Sequence, residues 1–446
     1  MLRLRWVGLA LVGLALVVGS GSGHGKLTPA LNASSVQEEL IGLRSPSPVW
    51  GPWPASPSFW HPKPGTWDLS LQIGPVPIAS PPEALQTLMD AAARIRQLRF
   101  RHRLVTKTLT DETLRQLLET DRKEQARRYQ ASEKVLQLLG LLEAGQSLWP
   151  LLEDLYRNQV VGVYDPRTRT LFWRQDVRGF TERLIIVHEL AHALVDQNLD
   201  LASYLYGREV QQDGEARMAR QAVAEGDATL VMLQYWMETM NLDTTSLADL
   251  LGADPETMDQ LLEILADLPV GDARYPPWLV RLFVAPYIDG LRLVLAAFRR
   301  DGWAGVNDLY RRPPADTSQL LHPERYFQDR PGRPVPPPMW VDGKVFDRDR
   351  VGELSWLVWL EHFTDRPTAA QAADGWDGDM SVLVQTDPQG WTWQAVTRWA
   401  SEKDAQEFEQ AVRQAMDRRL RADRVLPIRW AVRRAGRTVH FRIATP

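Results

Sequence analysis

Residues 183–197 read RLIIVHELAHALVDQ, an apolar helical stretch with two histidines and a glutamate at its middle. In His188-Glu189-Leu190-Ala191-His192 the histidines are four apart, so at 3.6 residues per turn both imidazoles stand on one helix face. Two nitrogens placed this way can bind one ion at about 2.0–2.1 Å. Glu189 lies on the edge of that face, where it can take a proton from a water on the ion. Leu184, Val187, Ala191, Leu194 and Val195 form a separate arc, which makes the chemistry-bearing edge the polar edge of an amphipathic helix. The alternative is a partly buried helix whose histidines satisfy each other and the main chain.

A catalytic zinc needs a third protein ligand and an open position for water. The extended HExxHxxGxxH pattern is absent, because Val195 stands at its glycine and Asn198 at its third histidine. Asp196 lies two turns beyond His188, about 12 Å along the axis, too far to share an ion with it. It either holds a ligand or a neighbouring loop, or is an ordinary surface carboxylate. Glu225 in AVAEGDATLVML fits better. That segment is apolar nearly all round, and a buried carboxylate is costly unless paired or bound to a cation. Gly226 would let two helices approach closely. Asp227 either orients a ligating histidine or forms an N-cap or a salt bridge to Arg220 or a distant arginine.

The elements that must position these residues lie in a chain of 446 residues, long enough for two or three domains. The formal charge of −4 gives no reason to expect nucleic acid or anionic membrane as a partner. With no cysteine, disulfides are excluded and stability must come from packing. Arg3 and Arg5 precede the apolar run 6–18 and the flexible GSGSG, a pattern that suits a signal peptide over residues 1–23. An uncleaved anchor, giving membrane attachment, is the alternative. Either way the chain is expected to be secreted or held in the cell envelope.

Residues 24–80 are rich in Pro, Ser and Trp and read as a linker or extended arm. Residues 81–340 are expected to form a mainly helical domain. A helix opens at Pro81, a strand lies in FRHRLVTKTLT, and a long charged helix runs from an N-cap at Thr110 to about Leu142. VVGVYDPRTRTLFW reads as a hairpin immediately before the histidine helix. A helix over 209–240 carries Glu225, and RPGRPVPPPM closes the domain as a linker. Residues 341–446 are expected to form a small α+β domain. Its parts are a helix over 353–363, a turn in DGWDGD, two strands, a capped helix over 401–420 and a terminal hairpin.

In GVYDPRTRTLFW, RLIIVHELAHALVDQNLDL, RQAVAEGDATLVM, PPADTSQLLHPERY and AADGWDGD, in this order, the sequence resembles the gluzincins. These are the thermolysin-like zinc metallopeptidases, with two histidines on HExxH and a glutamate from a following helix. More narrowly it resembles a group of exported bacterial metallopeptidases. The resemblance covers most of residues 95–415. It implies an α+β fold with a zincin-type catalytic domain and a small antiparallel sheet before the HExxH helix. It also implies that His188, His192 and Glu225 bind Zn²⁺ and that Glu189 is the general base.

There are departures. The GxMEN element of aminopeptidase gluzincins is missing, and the position four residues after the glutamate ligand, where thermolysin-like enzymes carry an aspartate, is Thr229. A peptidase also needs a donor for the oxyanion of the tetrahedral intermediate. His322, Tyr326 and Tyr287 are candidates, with His322 equally readable as a loop-locking side chain. The strand before the histidine helix would pair with an extended peptide substrate.

The expected activity is hydrolysis of peptide or protein substrates by an exported zinc endopeptidase. The competing expectation is a cell-surface binding or assembly protein with a vestigial metal site. In a third expectation, compatible with the first, residues 24–145 cover the cleft until they are removed.

Overall fold

The computed structural model describes residues 81–160, 162–174, 180–208, 210–241, 275–338, 343–386, 390–422 and 425–446. The export segment and the Pro/Trp-rich arm expected over residues 1–80 lie outside the described residues. The fold is α+β, as expected, with helices dominating the first half and a larger sheet in the second.

Helix α1 (Pro81–Arg96) opens at the proline expected to start it. Strand β1 (Val105–Thr108) follows, and Thr110 caps α2 (Asp111–Glu124) by accepting from the Thr113 N–H. The single long helix expected up to Leu142 is instead two. The chain turns at Gln125 (φ −110°, ψ 16°) and resumes as α3 (Ala126–Leu139). The break lets the two helices serve different cores. Leu114 and Leu118 join Trp149, Val163 and Phe172 in a small satellite cluster, whereas Ala131 and Leu138 enter the main one. A helix that the sequence reading passed over, α4 (Leu148–Gln159), completes this region.

Strands β2 (Gly162–Asp165) and β3 (Thr170–Trp173) form the expected hairpin. Asp165 accepts from the Arg167 N–H and the Thr168 hydroxyl inside its turn. Strand β1 adds to β3 in parallel, leaving β2 on the edge of the three-stranded sheet. Next come α5 (Phe180–Leu199), which carries both histidines, and the short α6 (Leu201–Tyr206). Helix α7 (Gly214–Thr239) starts five residues later than expected, because Asp213 caps it by accepting from the N–H groups of Glu215 and Ala216. Helix α8 (Pro277–Arg311) packs along α7 and bends at Asp301 and Gly302, then α9 (Ser318–Leu321) and α10 (Pro323–Phe327) follow.

The C-terminal half holds β4 (Lys344–Asp349), α11 (Glu353–Phe363), α12 (Arg366–Ala373), β5 (Trp376–Gln385), β6 (Trp391–Trp399), α13 (Glu402–Arg421), β7 (Arg429–Ala435) and β8 (Thr438–Ala444). The five strands form an antiparallel sheet in the order β4-β5-β6-β8-β7. The DGWDGD motif begins with the expected turn at Asp374 and Gly375 and then runs into strand β5, with its irregularity absorbed at Gly378 (φ 130°). Asp379 is buried and accepts from the N–H groups of Val351 and Gly352 and the indoles of Trp356 and Trp376. Those four donors offset the cost of burying the carboxylate.

Trp356, Trp393, Phe408 and Phe441 meet in one aromatic cluster between sheet and helices. The end of α3 is capped from this half of the molecule. Arg419 donates to the carbonyls of Leu138 and Gln137, and the Trp359 indole donates to that of Leu139. These are carbonyls that a helix C-terminus leaves open. Buried apolar residues of both halves form one continuous cluster. No helix among the described residues is long and apolar enough to cross a membrane.

Candidate metal centre

Helix α5 is held by an apolar arc, with Ile185, Ile186, Leu190, Ala193 and Leu194 all fully buried. That packing fixes the rotation of the helix and turns His188 and His192 toward α7. Helix α7 reaches the same point because it approaches α8 at its glycines. A Cβ on Gly226 would fall on the main chain of Gly290, and one on Gly290 on the carbonyl of Ala222. The close helix approach expected at Gly226 is therefore present, and it seats Glu225 beside the histidines.

His188 Nε2 lies 3.1 Å from Glu225 Oε2, His192 Nε2 lies 3.4 Å from the same oxygen, and the two nitrogens are 3.0 Å apart. Ligands about 2.0–2.1 Å from a tetrahedral ion are about 3.3–3.4 Å from one another, so the triangle has nearly the size such an ion requires. Burial sharpens the point. His188, Glu189, His192 and Glu225 have relative exposures of 0, 2, 2 and 1 %. Glu225 Oε1 has no hydrogen-bond partner among the described residues. A buried carboxylate with a spare oxygen and two facing imidazole nitrogens is a donor set that one cation satisfies and that protons satisfy only in part. His188, Glu189 and His192 thus form a group able to hold a metal ion, with Glu225 completing it.

The protonation pattern agrees. Burial lowers His188 to about 4. Burial also opposes charge on His192, but the hydrogen bond with Glu225 and the charges of Glu225 and Glu189 together outweigh it and raise that histidine. Glu225 is held well below the usual carboxylate range, because its bonds to the two histidines outweigh the cost of burial. Protonation is thus favoured on His192 over His188, beside a carboxyl whose ionised form is favoured. Burial pushes the Glu189 carboxyl up to about 8, opposed by His192 and by the main-chain bond it receives.

That bond comes from the Tyr164 N–H on β2, 2.6 Å from Glu189 Oε2, and the Tyr164 hydroxyl donates to Asp196 Oδ2 at 2.8 Å. Asp196 also accepts from the Ala202 N–H. It is thus a buried anchor for strand and loop, the first of its two expected readings. Tyr164 was not singled out in the sequence; the only signal there was its place in the strand before the histidine helix.

The three candidate oxyanion donors separate. The Tyr287 ring lies 5.9 Å from the His188 ring and is buried. His322 instead bonds Glu353 Oε1 at 2.6 Å, and the Tyr326 hydroxyl donates to the carbonyl of Arg312. The structure brings Tyr287 to the histidines and uses His322 and Tyr326 to brace the segment between α8 and the C-terminal sheet. The reason lies in α11, whose buried Glu353 takes His322 as its partner.

Asp227 makes the distant salt bridge. It accepts from Arg96 Nε at 2.7 Å and from the Tyr310 hydroxyl at 2.8 Å. Two residues along a helix turn a side chain by about 200°, so Asp227 cannot share the face of Glu225. Thr229 Oγ1 and His188 Nδ1 are both buried without a hydrogen-bond partner among the described residues, leaving this histidine without the usual orienting acceptor.

Residues 341–445 match a domain of unknown function, DUF8575. No curated protein and no solved structure matches the chain.

Proposed function

We propose that this chain is a zinc-dependent peptidase that cuts within polypeptides. The observation that carries the reading is the buried convergence of two imidazole nitrogens and one carboxylate within 3.4 Å, with Glu189 beside them. His188, His192 and Glu225 would hold the ion. When bound, zinc supplies a Lewis acid and lowers the pKa of a coordinated water towards neutrality. Glu189 takes the proton of the attacking water and returns it to the departing amine. A carboxyl whose pKa burial has moved towards neutral is suited to both transfers. The Tyr164 N–H keeps the carboxylate aimed, and the Tyr287 hydroxyl is the nearest candidate to donate to the developing oxyanion.

Arg3, Arg5 and the apolar run 6–18 support export of this activity out of the cytoplasm. Elemental analysis of the purified chain beside Glu225→Ala tests the centre, with about one zinc per chain expected and its loss in the variant. Digestion of a diverse peptide library by the wild type and by Glu189→Gln tests the chemistry. Cleavage that survives unchanged in Glu189→Gln, or no zinc after careful loading, sinks the reading.

A further inference from the structure

A cavity of about 480 Å³ lies between the helices of the metal centre and the C-terminal sheet. Its walls are Leu136, Leu152 and Leu282, and its floor is Trp356, Trp359 and Trp393 from the C-terminal half. Helix geometry ties it to the metal centre. Gln221 lines the cavity one turn before Glu225 on the same face of α7, and Phe283 lines it one turn before Tyr287 on the same face of α8. A turn rises about 5.4 Å, so the inner end of the cavity lies about that far from the ligands. A smaller recess of about 50 Å³ along Val163, Tyr164 and Asp165 of β2 shares Asp121, Tyr156 and Tyr206 with the cavity. The recess follows the strand whose Tyr164 N–H donates to Glu189, and those three side chains stand between it and the larger cavity.

The lining is mixed: Asp121, Gln125, Asp347, Asp349 and Arg350 stand beside the apolar residues, and Arg217 differs from them in its bonding. Arg217 reaches the cavity, and its Nη1 is buried with no hydrogen-bond partner among the described residues. The neighbouring charges are spent elsewhere. Asp213 is paired with Arg350, Asp349 accepts from the N–H groups of Gly214 and Arg350, and Arg128 donates to Gln211. A buried guanidinium donor left over beside an open cavity calls for an acceptor on whatever fills it. Arg217 precedes Glu225 by eight residues, about 12 Å along the helix. An extended peptide covers that in three to four residues, at about 3.3 Å each.

We infer that the cavity is a substrate pocket that takes a bulky apolar side chain three to four residues from the cleaved bond. Arg217 donates there to a peptide carbonyl or to a terminal carboxylate. The inference rests on the peptidase reading for the position of the cut, and it gives the C-terminal half a part in choosing the substrate. Buried apolar contact supplies the affinity, and the arginine fixes the register.

Binding to Glu189→Gln, followed by the fluorescence of Trp278, Trp356, Trp359 and Trp393 that line the cavity, tests this without turnover. Two blocked decapeptides are compared, identical except that a Leu-Phe pair in one is Ser-Ser in the other. The apolar peptide is expected to bind at least about tenfold more tightly. Ser132→Trp and Ser355→Phe, which fill the cavity from positions that are not buried, are expected to abolish that preference while zinc content and circular dichroism stay unchanged. Arg217→Met is expected to weaken the apolar peptide several-fold, with partial recovery in Arg217→Lys. Free-acid and amidated versions of the peptide tell a carboxylate from an internal carbonyl.

Equal affinity for the two peptides, or an undiminished preference in both filled variants, overturns the inference. The titration is repeated on metal-free protein. A chain that holds no zinc and cuts nothing yet still prefers the apolar peptide refutes the peptidase reading and leaves the pocket standing.

Discussion

The main-chain N–H of Tyr164 donates to Glu189 Oε2 at 2.6 Å, so a strand and not a side chain aims the carboxylate beside the metal centre. The hydroxyl of the same tyrosine donates to Asp196, seven residues further along α5. Tyr164→Phe separates the two functions, because it keeps the N–H and deletes the hydroxyl. Asp196 Oδ2 would then retain only Arg169, at 3.7 Å. Leaving a buried acceptor short of its donor costs about 1–3 kcal/mol. The expected result is a lower unfolding temperature with zinc content unchanged and turnover kept within a few-fold. A loss of zinc would show that the hydroxyl, and not the main chain, organises the centre.

Glu225, the third ligand proposed for the ion, lies against both histidines, and two of its replacements differ in a telling way. Glu225→Gln keeps the shape and one oxygen but removes the charge that neutralises the ion. Glu225→Ala removes the oxygens and leaves a cavity beside Gly226. Both are expected to weaken zinc by more than the roughly 10–100-fold typical of losing an outer partner of a ligand. Only the alanine is expected also to destabilise the metal-free protein. Competition with a chromogenic chelator measures the first effect, and denaturant unfolding in excess chelator the second.

Helices α7 and α8 touch main chain to main chain at Gly226 and Gly290. A methyl group at either position has no room, and overpacking a well-packed contact costs about 1–3 kcal/mol or more. Gly290→Ala should therefore lower both stability and zinc affinity, since moving α7 outward withdraws Glu225 from the histidines. An unchanged zinc affinity in a folded Gly290→Ala protein would mean that the centre tolerates a displaced helix.

Much of this arrangement was legible in the sequence because it follows from helical periodicity. The four-residue spacing of His188 and His192, the costly carboxylate Glu225 in an apolar run and the small Gly226 beside it all survive as read. Capping residues at Thr110 and Ser401 are equally visible, since each is a local donor–acceptor match, whereas the cap at Asp213 lies inside the stretch read as helix. What was not legible depends on contacts far apart in the chain. The break at Gln125 has no proline or glycine to announce it and arises because α2 and α3 pack on different clusters. The motif DGWDGD reads as a turn by composition, yet Asp379 is buried under donors from α11 and its approach. His322 reads equally as chemistry or as a loop lock, and only the contact with a buried Glu353 thirty-one residues away decides for the second.

The His322–Glu353 pair predicts a pH dependence of stability. Burial pulls His322 down, but the hydrogen bond with Glu353 and the charges of Glu353, Asp374 and Glu324 together outweigh it, and the net shift is upward. Burial pushes Glu353 up, past the opposing effects of His322 and Arg325. Both groups therefore bind protons more strongly folded than unfolded, so both lose stability as pH rises. For Glu353 the loss begins above its unfolded value near 4.3, and for His322 above about 6.5. The unfolding temperature of the wild type should fall between pH 6 and 8 more steeply than that of a His322→Asn, Glu353→Gln double variant. Parallel profiles would remove the pair from any role in pH sensitivity.

Asp227 offers the cleanest separation of scaffold from centre, since it lies two residues from Glu225 yet serves a different network. Arg96 and Asp227 are both fully buried, and Arg96 also lies over the Trp303 ring, 4.5 Å from its centroid. Breaking a buried pair by removing one partner costs about 3–5 kcal/mol, because an uncompensated charge remains. Asp227→Ala should therefore strand Arg96 and destabilise severely. Replacing both partners, as in Arg96→Met with Asp227→Leu, should recover much of the loss. Zinc affinity in the double variant should match the wild type, because neither side chain faces the histidines. If it falls by tenfold or more while stability is restored, Asp227 acts on the centre after all, and the separation drawn from the helical phase is wrong.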